Sequence, residues 1–366
     1  MIQSTTKSQT TSSGLFEVLR ENGHELVVHC QDNATGLKAI IAVHNTILGP
    51  SMGGLRMWNY ASEAEALTDV LRLSRAMTLK NSLAGINVGG GKAVIIGDAK
   101  TQKTEALLRR FGKFVQNLGG KYYTAEDVGM TEEDMGTIRQ ETSYVTGVSE
   151  LMGGSGDPSP VTAYGIFLGM KATMKKATGS ERMAGKKVMV QGVGKVGGGL
   201  VRHLVKDGAK VFVYDIFPDS VARVAKETGA TVVPQEEVFT RPVDVFAPCA
   251  LGGVLNEETI PLLKCDMVVG GANNQLLDEV RDAEALRERG ILYAPDFMVN
   301  AGGIINVSFE LETYHRQLAL QKTEKIYDTT LRVFQQAEER GITTHQAALE
   351  LAEKRIKEVG NNRLYR

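Results

Sequence analysis

Two lysines stand twelve positions apart, with no charged residue between them, in Met77-Thr-Leu-Lys80-Asn-Ser-Leu-Ala-Gly-Ile-Asn-Val-Gly-Gly-Gly-Lys92. A stretch this apolar belongs in an interior, where an ammonium is costly unless an anion or a reaction needs it. A basic helix end plus a snorkelling surface lysine accounts for the same residues. A two-lysine site would also require a carboxylate, and Tyr123-Thr-Ala125-Glu126-Asp127-Val-Gly129 offers two. Those acids equally suit the start of a helix at Thr131-Glu-Glu-Asp134, because helix N-termini favour negative charge.

A second chemical constellation is Gly192-Val193-Gly194-Lys195-Val196-Gly197, placed between the run Lys187-Val-Met-Val-Gln191 and Leu200, Leu204 and Val205 at helical spacing. Glycines alone close ordinary turns. Here they fall between a strand and a helix, and Asp215 ends a second strand 18 residues after Gly197, which is the context of a dinucleotide site. Gly192 permits a tight turn, Gly194 lets a pyrophosphate approach the backbone, and Gly197 allows close helix-to-strand packing. The phosphates meet the helix N-terminus. Asp215 can accept hydrogen bonds from ribose hydroxyls and would repel a 2′-phosphate, which favours NAD over NADP.

The elements that must carry these residues follow from the same sequence. Ser62-Glu-Ala-Glu65 has the form of a capping box, and Leu67, Val70, Leu71 and Met77 recur with helical period, so Lys80 is expected near a helix C-terminus, where a cation is favoured. The chain should then break at Gly85, turn on Gly89-Gly-Gly91 and enter a buried strand at Ala93-Val-Ile-Ile96, leaving Lys92 at a loop-to-strand junction. Ser62 to Val145 suggests a separate α/β domain. Downstream, Thr231-Val-Val, Val243-Asp-Val-Phe-Ala247, Met267-Val-Val269 and Ile291-Leu-Tyr-Ala294 alternate with helical segments, the signature of a doubly wound parallel sheet. The loops after its strands, Pro248-Cys-Ala250, Gly270-Gly-Ala-Asn273-Asn274-Gln275 and Pro295-Asp296 with Asn300-Ala-Gly-Gly303, are small or polar. A shared cleft at the strand carboxyl ends explains all three. Gly153 to Pro160, rich in Gly, Ser and Pro, reads as an interdomain hinge.

Composition narrows the classes. At 366 residues the chain suits two domains. Its 42 basic and 43 acidic residues nearly cancel, so net charge suggests neither a nucleic-acid nor a membrane partner. Cys30, Cys249 and Cys265 have no CxxC spacing, which argues against a disulfide framework or a thiolate zinc site and for a reducing compartment. Residues 1–14 are rich in Ser and Thr and lack an apolar h-region, so a disordered tail is expected in place of a signal peptide. With no run of 18 apolar residues, no membrane span is expected, and the cytoplasm is the expected location. The six histidines form no HExxH or other metal-ligand cluster, and no GxSxG occurs, so neither metal hydrolysis nor serine chemistry is indicated.

From about residue 15 to residue 358 the chain resembles the NAD-dependent amino-acid dehydrogenases, the Glu/Leu/Phe/Val dehydrogenase family, and most of all its leucine and valine branch. The resemblance rests on Gly53-Gly-Leu-Arg-Met-Trp58, the two-lysine segment, Thr124-Ala-Glu-Asp-Val-Gly129, Ser159-Pro-Val-Thr162-Ala-Tyr-Gly165, Gly192 to Gly197, Ala247-Pro-Cys-Ala-Leu-Gly252, Ala272-Asn-Asn-Gln275 and Asn300-Ala-Gly-Gly303. It implies that Lys80 holds the substrate α-carboxylate, Lys92 is the general base and Asp127 assists proton transfer. It implies cofactor contacts from Thr162, Ala250 and Asn273 beside the glycine-loop residues and Asp215, with Gly53 and Asn274 near the substrate. It also implies two α/β domains with the active-site cleft between them. These are a substrate-binding and oligomerisation domain over 15–150, with a helix over 340–366 packed back on it, and a Rossmann NAD domain over 151–339. A homo-oligomer of two to eight copies is the family expectation.

On this reading Lys80, as a fixed cation, disfavours a second charge and leaves Lys92 neutral enough to act as a base near working pH. Hydride leaves the substrate Cα for nicotinamide, water attacks the imine, and ammonia and a 2-oxo acid depart. The resemblance places Met52, Ala125, Ile304 and Val307 around the substrate side chain. All four are apolar, so glutamate would find no partner and Leu, Val or Ile is expected, with phenylalanine or tryptophan as the alternative. Leu55 departs from the threonine common in the leucine branch, and Gly197 from the more usual alanine. Two rivals remain: a non-catalytic NAD-sensing module, and a 2-hydroxy-acid dehydrogenase, which would want a histidine acid-base and an arginine for the carboxylate.

Overall fold

The computed structural model describes residues 15–363; the tail expected over 1–14 and the last three positions lie outside the described residues. Helix α1 (Leu15–Asn22) leads into strands β1 (Leu26–Asp32), β2 (Leu37–Asn45) and β3 (Ser51–Trp58), then α2 (Glu63–Leu83), β4 (Gly89–Ile96), α3 (Glu105–Asn117), β5 (Tyr122–Glu126) and α4 (Glu132–Arg139). These strands form one sheet in the order β1-β2-β4-β3-β5, antiparallel from β1 to β4 and parallel across β4, β3 and β5. Three of its five strands lie ahead of Ser62, so the sheet starts well upstream of the stretch whose pattern suggested a domain. Helix α2 covers one face, where Val70 and Leu71 meet Ile40 and Val94. Helix α3 covers the other, where Phe111 meets Ile41, Leu55 and Ile95.

One local expectation is corrected. Gly89-Gly-Gly91 does not turn; all three glycines and Lys92 lie inside β4. They are glycines for steric reasons. A Cβ on Gly90 would fall on the Thr78 backbone N and Oγ1 of α2, and one on Gly89 would fall on the Asn45 carbonyl oxygen of β2. The bare backbone lets α2 lie directly on the strand, which puts Lys92 in a packed interior.

Helix α5 (Ser159–Thr178) opens the second unit, followed by β6 (Lys187–Gln191), α6 (Lys195–Lys206), β7 (Lys210–Tyr214), α7 (Pro218–Thr228), β8 (Thr231–Val232), β9 (Val245–Pro248), β10 (Met267–Val268), α8 (Arg281–Glu288) and β11 (Leu292–Tyr293). Its six strands run parallel in the order β11-β10-β9-β6-β7-β8, the doubly wound arrangement in which the order reverses beside β6. Short helices α9 (Asp296–Val299) and α10 (Gly302–Ser308) lead to α11 (Arg316–Arg340) and α12 (Thr344–Arg363). Helix α12 returns to α2: the Ser82 hydroxyl donates to the Ala352 carbonyl at 2.7 Å, and the Arg355 guanidinium donates to the carbonyls of Ser82 and Ile86 at 3.2 and 3.0 Å. Between the units, Glu310 accepts from the backbone N–H of Gly147 (3.0 Å) and Ser155 (2.9 Å) and from the Ser155 hydroxyl, pinning the glycine-rich connection.

Candidate active site

A cavity of about 330 Å³ lies between the two units. The first sheet supplies its floor by alternation. Gly54 and Arg56 on β3, Lys92 on β4 and Ala125 on β5 fall on the same face in the observed register, and Asp127 continues that alternation just past β5. Helix α2 adds Leu73, Ala76, Met77 and Lys80 from one stripe, and the second unit closes the cavity with Asn273, Asn274, Asp296, Asn300, Ile304 and Val307. The N-cap that begins α2 is Ser62, whose hydroxyl accepts from Glu65 N at 3.1 Å. The Glu65 carboxylate reaches back to Ala61 N at 2.7 Å, one residue before the N-cap. Lys80 is in the last turn.

Lys92 is 4% exposed and its Nζ lies 3.1 Å from Asp127 Oδ1. The other oxygen of that carboxylate accepts from Arg56 Nε at 2.9 Å. Burial pushes the Lys92 ammonium below the usual lysine range; Asp127 opposes the shift and Arg56 adds to it. Burial alone would raise Asp127, but Lys92 and Arg56 together hold it below the usual carboxylate range. Lys80 is pushed down to about 8, chiefly by burial, with Asp296 opposing and Lys92 reinforcing. Burial, which the spacing of the lysines does not show, is the first cause of the Lys92 shift, and Arg56 is the foremost cation bearing on it, alongside the mutual repulsion of Lys80 and Lys92.

Across the cavity a short helix fixes a strained loop. Asp296 Oδ2 accepts from Asn274 N at 2.8 Å, and Tyr293 donates its hydroxyl to Oδ1 at 2.9 Å. One turn on, Asn300 Nδ2 donates to Asn273 Oδ1 at 2.8 Å and to the Gly271 carbonyl at 3.2 Å. Asn274 has φ +52°, the sole positive value outside glycine among the described residues. A left-handed asparagine held by a buried aspartate is a strained position maintained by its surroundings.

The glycine loop after β6 has the geometry a dinucleotide needs. Gly192 has φ +92°, and a Cβ there would sit 2.7 Å from Ala250 N. A Cβ on Gly197 would fall on the Gly192 carbonyl, whereas one on Gly194 would meet nothing within 4 Å. Helix α6 starts beside Gly194 with no side-chain cap, so its N-terminal N–H groups face that open side. Asp215 accepts from Val193 N at 2.7 Å and Phe217 N at 3.1 Å, bracing the loop from the end of β7.

Residues 24–144 match the Glu/Leu/Phe/Val dehydrogenase dimerisation domain, and residues 153–216 and 217–363 match Glutamate/Leucine/Phenylalanine/Valine dehydrogenase. The chain belongs to this family. It is 53% identical over 342 residues to leucine dehydrogenase of Thermoactinomyces intermedius, covering 93% of each chain. To valine dehydrogenase of Streptomyces virginiae it is 48% identical over 339 residues, 92% of this chain and 94% of that one. The crystal structure of L-tryptophan dehydrogenase from Nostoc punctiforme superposes with a TM-score of 0.84 at 47% identity, over 94% of this chain and 99% of that chain. The protein is thus an NAD(P)-dependent amino-acid dehydrogenase, leucine dehydrogenase-like. No helix among the described residues is long and apolar enough to cross a membrane.

In this family member the cavity brings together Lys80, Lys92, Ala125, Asp127, Thr162, Val196, Asn273, Asn274, Ile304 and Val307. Met52 is not on its wall. It is fully buried on the same face of β3 as Gly54, in one cluster with Ile86, Val88, Ile305 and the cavity-lining Val307. Gly53 is off the wall too; its carbonyl accepts the Tyr122 hydroxyl at 2.7 Å and Gly54 faces the cavity in its place. Val193 is buried and offers only its backbone, and Lys195 pairs with Asp157 at 3.4 Å. Reading the sequence missed Arg56, Asp69 and the bracing done by Asp296 and Asn300. Arg56 stood within a quoted motif, but nothing in its spacing announced an ion pair with residue 127.

Proposed function

We propose that the protein catalyses the reversible NAD-dependent oxidative deamination of an apolar L-amino acid, namely leucine, valine or isoleucine, to its 2-oxo acid and ammonia. One observation supports this reading best: a nearly solvent-free Lys92 stands 3.1 Å from Asp127 in a cavity where Ala125 on the floor and Ile304 and Val307 on the facing side offer an apolar patch beside the polar Asn273, Asn274, Asp296 and Asn300. Lys80 holds the α-carboxylate, and the anion in turn raises the proton affinity that burial had lowered. Gly192 to Gly197, Asp215, Ala250, Thr162 and Asn273 are the residues that would hold NAD, and Asp215 disfavours a 2′-phosphate. When bound, NAD accepts the hydride from the substrate Cα. Lys92 then takes a proton from the water that adds to the imine carbon, with Asp127 stabilising the ammonium so formed, and ammonia leaves as the carbonyl forms.

Following NADH absorbance with a panel of 2-oxo acids, with and without ammonium, tests this. Branched aliphatic oxo acids should be reduced only with ammonium. Turnover without it, or with none of the panel, overturns the reading. Lys92→Ala should lower kcat by about 10²–10⁴-fold and leave the Kd for NAD unchanged; an active Lys92→Ala enzyme refutes the base assignment. An aromatic substrate is the second reading, favoured by the likeness to an L-tryptophan dehydrogenase, and the same panel decides it.

We also read residues 15–150 with the C-terminal helix as the substrate-binding and oligomerising unit and 151–339 as the NAD unit. The match of 24–144 to a dimerisation domain supports a homo-oligomer, measurable by light scattering. Three free cysteines suit the cytoplasm.

A further inference from the structure

Asp127 is a carboxylate shared by two cations, and only one of them can give up its proton. Arg56 stays protonated at any working pH, and it divides its charge: Nε donates to Asp127 Oδ2 at 2.9 Å, and Nη1 donates to Asp69 Oδ2 at 2.9 Å. Asp69 also accepts from the Tyr60 hydroxyl at 2.7 Å and pairs with Arg72 at 3.1 Å. The side chains of Arg56, Asp69 and Asp127 are only 22%, 16% and 22% exposed, so water does little to weaken the network. The groups bearing on Lys92 are Asp127 and Arg56 from the sheet and Asp69 from α2, while Lys80 on α2 is itself affected by Lys92.

With Asp127 alone beside it, Lys92 would be one half of a buried ion pair. Such a pair holds its proton, because releasing it strands an unpaired carboxylate in a poorly hydrated site. Arg56 removes that obstacle by remaining as Asp127's counter-charge after Lys92 becomes neutral. We propose that Arg56 and Asp69 are positioning residues for the base: Arg56 keeps Asp127 anionic and frees Lys92 to take a proton from water, and Asp69 sets how much of the Arg56 charge is felt there. This inference rests on Lys92 being the base.

The two residues must then act with opposite sign, which a merely structural role would not produce. In the pH profile of kcat/KM, Arg56→Gln should move the acid limb to higher pH by roughly one unit, about a tenfold loss below the limb, and Arg56→Lys should recover most of that shift. Asp69→Asn should move the limb to lower pH. If both limbs move the same way, or neither moves, the inference is overturned. Where Arg56→Gln does not fold, the direction of the Asp69→Asn shift decides by itself. Lys92→Ala separates the two levels. If it stays active, the base assignment fails; if it is inactive while the limbs stay put, this inference alone fails.

Discussion

Two glycine-rich segments, Gly89 to Gly91 and Gly192 to Gly197, hold three glycines each and use them differently. In β4 no glycine of the trio has a positive φ, and the need is for missing volume, because Asn45 of β2, Thr78 of α2 and Tyr122 of β5 occupy the places where the Cβ atoms of Gly89, Gly90 and Gly91 would stand. After β6 only Gly197 shares that need, while Gly192 is required for its positive φ and Gly194 leaves an open approach. The first segment lets protein approach protein and so buries a lysine. The second holds backbone N–H groups ready for a phosphate. A glycine count cannot tell these apart, since one depends on what packs above the strand and the other on the turn itself.

Substitution separates the two uses most sharply. Gly90→Ala puts a methyl onto the Thr78 backbone, which cannot swing aside as a side chain can. It should cost about 3 kcal/mol or more in denaturant unfolding and lower activity along with it. Gly194→Ala should do the reverse. With nothing within 4 Å of the new methyl, the loss of stability should be well below that of Gly90→Ala, while the Kd for NAD rises roughly tenfold in a fluorescence titration. A stable, tight-binding Gly194→Ala protein would remove the contrast.

A smaller effect of pH should also fall on one side of the comparison. His24 and His44 stack edge to face at 4.8 Å beneath α2, with His44 bonded to Thr78 at 2.8 Å. Burial pushes His44 down to about 4 and lowers His24. A folded-state value below the ordinary 6.5 means that the neutral rings contribute fully above about pH 6.5, and that this contribution is lost as pH falls from there toward 4. Trp58, the single tryptophan, lies in β3 and reports on this sheet. Its fluorescence in urea should show a midpoint that drops between pH 6.5 and 5; an unchanged midpoint contradicts the assignment.

Much of the second unit was legible because parallel strands in a doubly wound sheet are short apolar runs set between helices, and the dinucleotide loop is a local device whose glycines, strand and helix adjoin in sequence. Less of the first was legible. Strands β1 to β3 precede the helix whose period gave the domain away. Lys92 read as a junction residue because three glycines before a strand look like a turn, and only the helix lying on them shows otherwise. Met52 read as pocket wall from a motif position, and the fold buries it completely in one cluster with Val307.

Residue types and order alone determined the family resemblance, the α/β class, the dinucleotide motif and the short roster of Lys80, Lys92 and Asp127, because each rests on neighbours in the chain or on local periodicity. Tertiary structure decided what holds Lys92 below the ordinary lysine range. Burial under α2 requires Gly90 to meet Thr78, and the second cation on Asp127 comes from Arg56, 71 positions away in sequence. Electrostatic environment depends on distance and solvent exclusion in space, and no spacing along a chain encodes either.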